Sequence, residues 1–341
     1  MKKLLIFIIF TIVMSMTVFC ALKTTENEIH LVAVGDILLS RDVEKKMIKE
    51  GLNYPYKQVE KCFIKKDIVL GNLENPIYEG NNPVCKNSNL IFKAKNANAT
   101  KLKEAGFTIL NLANNHTMDY KEAGLANTMQ ALHNNGISYI GAGVKNNEAR
   151  KPLVIEKEGY KIGFLGYSMF SPRGYIYNKD KADICRVKDN IAIEIKKAKA
   201  QCDFLVVTVH WGNEFDFFPS EKQKKLAHEI IDSGADLILG HHPHVLQGIE
   251  QYKDKYIFYS LGNFVFDKQI QKGTDESIIL DLTIKNKDIK KIKLIPIKII
   301  DCQPTLATGD VGGYILQRLQ KYSSEMSIEI KIKQCLGEII P

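Results

Sequence analysis

Ile29-His30-Leu31-Val32-Ala33-Val34-Gly35-Asp36 is an apolar run that ends on a turn glycine and a carboxylate. It reads as a buried strand with its chemistry at the C-terminal end. The same arrangement recurs downstream. Residues 67–71 read as a strand running into Asn72-Leu73-Glu74, and residues 107–112 as one leading to Asn114-Asn115-His116. The β-branched run 203–209 delivers His210, and the short run 236–239 feeds Gly240-His241-His242-Pro243-His244.

Helical patterns alternate with these strands. Residues 97–106 close on Gly106, residues 120–135 stop at Asn134-Asn135-Gly136, and residues 189–201 precede the His210 strand. Residues 220–233 form another helix, with Ser220 as N-cap and Glu221 in the first turn. A short strand is expected at 138–141 and a hairpin at 153–167 around Gly159-Tyr160. Further strands are expected at 256–261, 277–284 and 289–300, the last two joined at 285–288. Alternating β and α with buried strands predicts an α/β fold, and the hairpins make its sheets mixed. In such folds ligands gather beyond the carboxyl ends of the strands, where the polar segments stand here. Three parts are expected: a leader and linker at 1–27, one domain at 28–322, and a polar C-terminal tail at 323–341 with a last apolar segment.

The leader carries the clearest topological signal. Lys2 and Lys3 precede a run from Leu4 to Leu22 without a charged residue, long enough to span a bilayer with the lysines inside. An N-terminal signal anchor holding the domain on the extracytoplasmic face of the cell membrane is the first expectation. A cleaved signal peptide would give a secreted protein, and a lipid anchor on Cys20 is the third reading, disfavoured by the bulky Phe19. Seven cysteines are too few for a disulfide scaffold and none form a C-x-x-C pair, which argues against a zinc ribbon. Cys62 with Cys85, or Cys185 with Cys202, are the pairings that an oxidising compartment would allow. The net charge of +8 comes from scattered lysines with no Arg-rich, aromatic-studded stripe, which excludes a nucleic-acid partner. Outside the cell such a surface favours acidic wall polymers or anionic lipid.

Of the 8 histidines, five lie in three of the strand-end segments, namely His116, His210, His241, His242 and His244. His30, His133 and His228 sit in strand or helix contexts and read as packed or surface residues. Two divalent ions in one centre need a bridging carboxylate to offset their repulsion. Asp or Glu supplies the bridge, neutral imidazoles the terminal positions, and an Asn carbonyl a neutral oxygen. This mixed nitrogen and oxygen set suits manganese, iron or zinc better than calcium. Taken singly, each segment has a plain structural alternative, such as a turn aspartate at Asp36 or helix-capping residues at Asn114-Asn115. His242-Pro243-His244, two imidazoles on a rigid turn, is the strongest.

Six segments together resemble the signature blocks of the CapA family of capsule and poly-γ-glutamate synthesis proteins. These are Gly35-Asp36, Gly71-Asn72-Leu73-Glu74-Asn75-Pro76, Asn111-Leu112-Ala113-Asn114-Asn115-His116, His210-Trp211-Gly212-Asn213-Glu214, Gly240 to Gln247, and Tyr259 to Asp267. The resemblance covers residues 28–267. Through that family the chain is similar to the calcineurin-like metallophosphoesterases, which implies a four-layer α/β/β/α sandwich with a dinuclear site. Carried over by position, Asp36 and His244 would hold one ion and Asn115, His210 and His242 the other, with Glu74 bridging. His116 would be the catalytic acid. Leu38 stands where the phosphoesterase pattern has a histidine, and the bridge is Glu rather than Asp, which implies one ion more weakly held.

Glu214 is expected to orient His210, while Arg41 and Asn263 are candidates for substrate contact. Asn72 and His241 are expected beside the ligands, steadying them or touching substrate. The resemblance implies a metal-dependent hydrolase or transferase acting on an anionic cell-envelope polymer, with membrane synthase subunits as partners. The rival readings are a non-catalytic scaffold or polymer-binding subunit of such a synthase, and a general extracytoplasmic metallophosphatase.

Overall fold

The computed structural model describes residues 28–177 and 181–341. The expected anchor and linker, with Cys20, lie outside them, and among the described residues no helix is long and apolar enough to cross a membrane. The six cysteines that are described are all free, so neither expected pairing is formed.

Two mixed sheets carry the fold. At the centre of the larger is Glu28–Ile37, parallel to Ile68–Leu73 on one side and antiparallel to Glu276–Lys285 on the other. Ile109–Asn111 and Ser138–Ile140 continue it in parallel, while Asp288–Ile300, Leu336–Ile339 and Lys331–Lys333 extend the antiparallel side. Asn263–Val265 lies beside the tip of the central strand, and Gln303–Leu306 beside Asp288–Ile300. The second sheet runs Ile249–Tyr252, Lys255–Phe258, Leu237–His241, Phe204–His210, Tyr160–Ser168, Leu153–Lys157.

Alternation along the strands sorts their side chains into layers. Ile29, Leu31 and Ala33 face inward against Phe164, Val206, Leu237 and Leu239 of the second sheet. Val32 and Val34 face outward onto Leu102, Leu125, Met129 and Leu132 from helices Ala97–Ala105 and Lys121–Asn134. On the far side, Leu205, Val207 and Ile238 pack under Ile195, Ala227 and Ile230 of helices Ile191–Lys199 and Glu221–Asp232. The order is helix, sheet, sheet, helix, with the main core between the sheets. Each fully buried Leu, Ile or Phe contributes about 1.5–3 kcal/mol.

Local chemistry explains most boundaries. Gly106 ends its helix at φ 109 and donates its N–H to Leu102 O and Lys103 O. The hairpin turn falls on Glu158-Gly159, both at positive φ, one residue before the expected Gly159-Tyr160. Ser220 and Gln223 cap Glu221–Asp232 reciprocally. Ser220→Ala should lower unfolding stability by about 1 kcal/mol in a urea titration; an unchanged midpoint would show that the cap contributes nothing.

Two expectations need correction. Residues 323–341 are not a tail: Leu336–Ile339 pairs with Asp288–Ile300, and Ile339 is buried in the main core. Residues 256–261 are not one strand either, because it stops at Phe258 and Tyr259–Gly262 leaves the sheet. That segment crosses between the sheets at their ligand-bearing ends. Gly262 O accepts from the Asp36 N–H (3.0 Å), and Gly240 O accepts from the Leu261 N–H (3.2 Å). A Cβ on Gly35 would strike Gly262 O, and one on Gly240 would strike Tyr259 O. Both glycines are therefore needed for close backbone approach, since neither has a positive φ.

Candidate metal centre

Strand register brings the polar residues into line. Asp36 stands opposite Asn72, and Asn72 opposite Asn111, at the tip of the large sheet. His241 stands opposite His210 at the tip of the small one. His242 (φ 96) and His244 (φ 59) follow on a turn around Pro243, while Arg41 (φ 57) and Phe215 (φ 69) flank it. Four non-glycine residues at positive φ around one cleft amount to strain that the surrounding fold holds in place.

Asp36 is fully buried. Its Oδ1 accepts from Asn72 Nδ2 (2.8 Å) and its Oδ2 from the His242 N–H (3.2 Å). His241 Nδ1 lies 3.3 Å from Oδ1 and His244 Nδ1 3.4 Å from Oδ2. Burial alone would raise this carboxyl, but the hydrogen bonds and charge of His241 and His244 hold it well below the usual carboxylate range. Glu74 is the opposite case. It is also buried, neither of its oxygens has a hydrogen-bond partner, and desolvation pushes it well above the usual range. A carboxylate in that position costs several kcal/mol unless a cation meets it.

The ligand atoms of Glu74, His210 and His242 lie within 4.8 Å of one another, as do those of Asp36, Glu74 and His244. Glu74 belongs to both groups. Asn115 Oδ1 is 2.9 Å from His210 Nε2, and His242 Nδ1 is buried without a partner. Burial holds His210 well below its ordinary pKa and takes His242 down to about 3, keeping both in the neutral form that ligates. Burial would also lower His244, but the charges of Glu74 and Asp36 override it and lift the ring to about 9. The donor set and the unpaired buried atoms fit a divalent metal, whose charge would replace the proton on His244. Ion affinity should therefore climb with pH and level off above about 9, with protons released on binding. Calorimetry in buffers of different ionisation enthalpy checks this; affinity independent of pH between 6 and 8 would contradict it.

His116 stands at the edge of the same cleft. Its Nδ1 is 3.1 Å from Asp119 Oδ2, which also accepts the Phe92 N–H (2.8 Å), and Lys86 pairs with Asp119 Oδ1. Phe92 stacks on the His116 ring at 4.2 Å. Burial lowers the His116 pKa, and Asp119 opposes that in part. Neither Asp119 nor Lys86 was expected from sequence. Asp119 follows His116 by three residues, a spacing that could have flagged it, whereas Lys86 is distant in the chain.

The remaining candidates fall as follows. Asn72 ties the floor together, accepting from Asn111 Nδ2 (2.9 Å) and Asn114 Nδ2 (3.3 Å). Asn263, a candidate for substrate contact, places its Oδ1 2.9 Å from His244 Nδ1, which orients that ring, and it also lines the cavity beside it. Glu214, expected to orient His210, groups instead with His242 and His244. His241 is buried under Asp36 with Nε2 unpaired. Leu38 packs against Phe92 and Phe266, so an apolar wedge fills the place of a further ligand. His228 lies elsewhere, stacked on Tyr252 at 3.9 Å.

A cavity of about 160 Å³ opens above the Glu74–His244 side, lined by Arg41, Phe92, His116, Phe215 and Phe266 among others.

The profile of the bacterial capsule synthesis protein family PGA_cap matches residues 30–268. The PGA biosynthesis protein CapA of Bacillus subtilis (strain 168) is 36% identical over 279 residues, covering 81% of this chain and 73% of that protein. The capsule biosynthesis protein CapA of Bacillus anthracis is 33% identical over 312 residues, covering 89% and 76%. A probable polyglutamine synthesis accessory protein of Mycobacterium tuberculosis (strain ATCC 25618 / H37Rv) is 24% identical over 300 residues, covering 81% and 77%. Among solved structures, a 5'-nucleotidase from Candida albicans aligns at a TM-score of 0.44 and 10% identity, over 89% of this chain and 59% of that one.

Proposed function

The chain belongs to the bacterial capsule synthesis protein family PGA_cap, and from that premise we propose that it is an exported, membrane-tethered protein with a two-ion centre that serves the making, transfer or export of poly-γ-glutamate or a similar anionic envelope polymer. The observation that carries this reading is Glu74, a buried carboxylate with no hydrogen bond to either oxygen, shared between two histidine-containing groups. Asp36 and His244 would hold one ion, and Asn115, His210 and His242 the other, with Glu74 between them. Manganese, iron and zinc suit these donors.

When bound, such ions supply charge that favours an activated water and stabilises a developing oxyanion. The chain's own residues do the rest. Asn72 and the His242 N–H fix the Asp36 carboxylate, and Asn263 fixes the His244 ring. His116, steadied by Asp119 at Nδ1, would take a proton on Nε2 and then give it to a leaving oxygen or nitrogen. Phe92, stacked on His116, and Phe266, beside His244, give the cleft apolar walls. The reaction class is hydrolysis or transfer at a phosphoester or amide bond of a polymer on the extracytoplasmic side, with a membrane synthase as the assembly it serves.

A second reading, a scaffold or polymer-binding subunit without turnover, is favoured by Leu38, whose apolar packing removes one ligand. His242→Ala separates the two. Under the first reading it loses metal and abolishes polymer output in cells; normal output from a metal-depleted variant selects the scaffold. Turnover of generic phosphodiesters but not of γ-glutamyl polymers would point to a plain metallophosphatase. Metal-free wild-type protein after purification in metal-replete buffer would sink the centre itself.

A further inference from the structure

Arg41 is held in a way that its ion pair does not explain. It pairs with Asp267, which also accepts the Asp42 N–H (3.1 Å) at the start of helix Asp42–Glu50. An exposed lysine or arginine on ordinary backbone could make such a pair. Instead the chain takes φ 57 and ψ −122 at Arg41, a conformation that costs a non-glycine residue free energy. The guanidinium carbon lies 4.5 Å from the Phe92 ring centroid and 5.6 Å from that of Phe266. Its Nε is buried and has no hydrogen-bond partner. Strain and an unmet donor are both unfavourable, and both accompany a guanidinium held between two rings at the cavity.

The two rings that flank the guanidinium also touch the centre. Phe92 stacks on His116 at 4.2 Å, and Phe266 lies 4.9 Å from His244. Arg41 lines the cavity that Glu74, His116 and His244 line, and its charge acts on Glu74. Lys268, exposed on the rim, adds a second cation there. The cavity, at about 160 Å³, is small against the roughly 300–1,000 Å³ of ordinary ligand pockets. It suits one end group and not a length of polymer.

We propose that Arg41 is the receptor for a single anionic oxygen of the substrate, a carboxylate or phosphate, held beside the Glu74–His244 edge of the centre through the guanidinium N–H groups that Asp267 does not take. The polymer reading above supplies one natural source, the carboxylate of a γ-glutamyl unit, and this proposal rests on that reading only for the choice between sources. The rigid aromatic frame makes the donor direction fixed before binding, which lowers the ordering cost of recognition. Lysine cannot replace it, because an ammonium reaching Asp267 leaves no second N–H group fixed at the cavity.

The experiment measures dissociation constants for a γ-linked glutamate oligomer and for inorganic phosphate, on the full-length protein in detergent with added Mn²⁺. Wild type is compared with Arg41→Lys, Arg41→Gln and Asp267→Asn. Both Arg41 variants should weaken the bound probe by roughly 10- to 100-fold, the loss of one charged hydrogen bond, while Mn²⁺ affinity stays within twofold. Asp267→Asn should keep the probe bound, because it leaves the guanidinium between Phe92 and Phe266. Arg41→Lys keeps the ion pair, so its loss of binding cannot be laid to a loosened helix. If only the oligomer binds, the anion is a carboxylate. If only phosphate binds and Arg41→Lys loses it, the receptor stands and the γ-glutamyl reading falls. The proposal is overturned if neither probe binds wild type, if the Arg41 variants bind as wild type does, or if Asp267→Asn loses as much as Arg41→Gln.

Discussion

Glu74→Gln should bind divalent metal at least ~100-fold more weakly than wild type, the scale set by losing a ligand rather than one of its outer supports, which typically costs 10–100-fold. Its metal-free form should nevertheless be the more stable of the two at alkaline pH. The reason lies in what Glu74 does without a cation. Its pKa in the fold is raised above the unfolded value by desolvation, so ionisation favours the unfolded chain. Metal-free wild type is then most stable at low pH with respect to this group, and loses that contribution as pH rises through the folded pKa. His244, lifted from 6.5 to about 9, acts in the same direction, its contribution full below pH 6.5 and lost as pH climbs through 9. A neutral amide at position 74 has no charge to bury. Urea titrations with chelator at pH 6 and pH 9, beside metal affinity by calorimetry, read both effects. A variant that binds metal as wild type does, or whose metal-free stability changes from pH 6 to pH 9 just as that of wild type does, would refute the role given to Glu74.

Gly35→Ala and Gly240→Ala should each destabilise the protein by about 3 kcal/mol, the upper end for overpacking, because the added methyl meets backbone and not a side chain that can turn away. The Tyr259–Gly262 segment would have to move off both sheets, breaking the bonds from the Asp36 and Leu261 N–H groups. Metal affinity should fall with stability, since Asp36 and His241 are the next residues along. Gly313→Ala is the internal control. Gly313 lies in helix Gly309–Ser323 with open space around it, so alanine there should stabilise by about 0.5–1 kcal/mol. Equal effects at the three positions in a denaturation series would exclude the close-approach explanation.

The strands that end in Asp36, Glu74, His210 and His241 were legible because each is buried on both faces and so reads as an unbroken apolar run. Helix Gly309–Ser323 was not, because three glycines dilute its pattern and its apolar stripe, Ile315, Leu316 and Leu319, is short. Leu336–Ile339 was hidden by its shortness and its one-sided burial, where only alternate residues are buried. In the site, the groups that could ligate were found because metal chemistry restricts residue type. The groups that hold them were harder. Nothing local to Lys86 says that it clamps Asp119 across 33 residues, and Leu38 was noticed only as a missing histidine. Its actual work, packing against Phe92 and Phe266, depends on rings brought in by other loops.

The proposed ligands come from both sheets: Asp36, Glu74 and Asn115 from one, His210, His242 and His244 from the other. An ion held between them is thus a clasp across the main core, and it binds the folded chain only. At a hundred times its dissociation constant it adds about 2.7 kcal/mol to the resistance to unfolding. Under the proposed placement outside the cell, away from cytoplasmic chaperones, that clasp would govern lifetime. Chelators should shorten survival against proteases well before they alter the fold, so that the supply of metal in the medium would set how long each molecule persists.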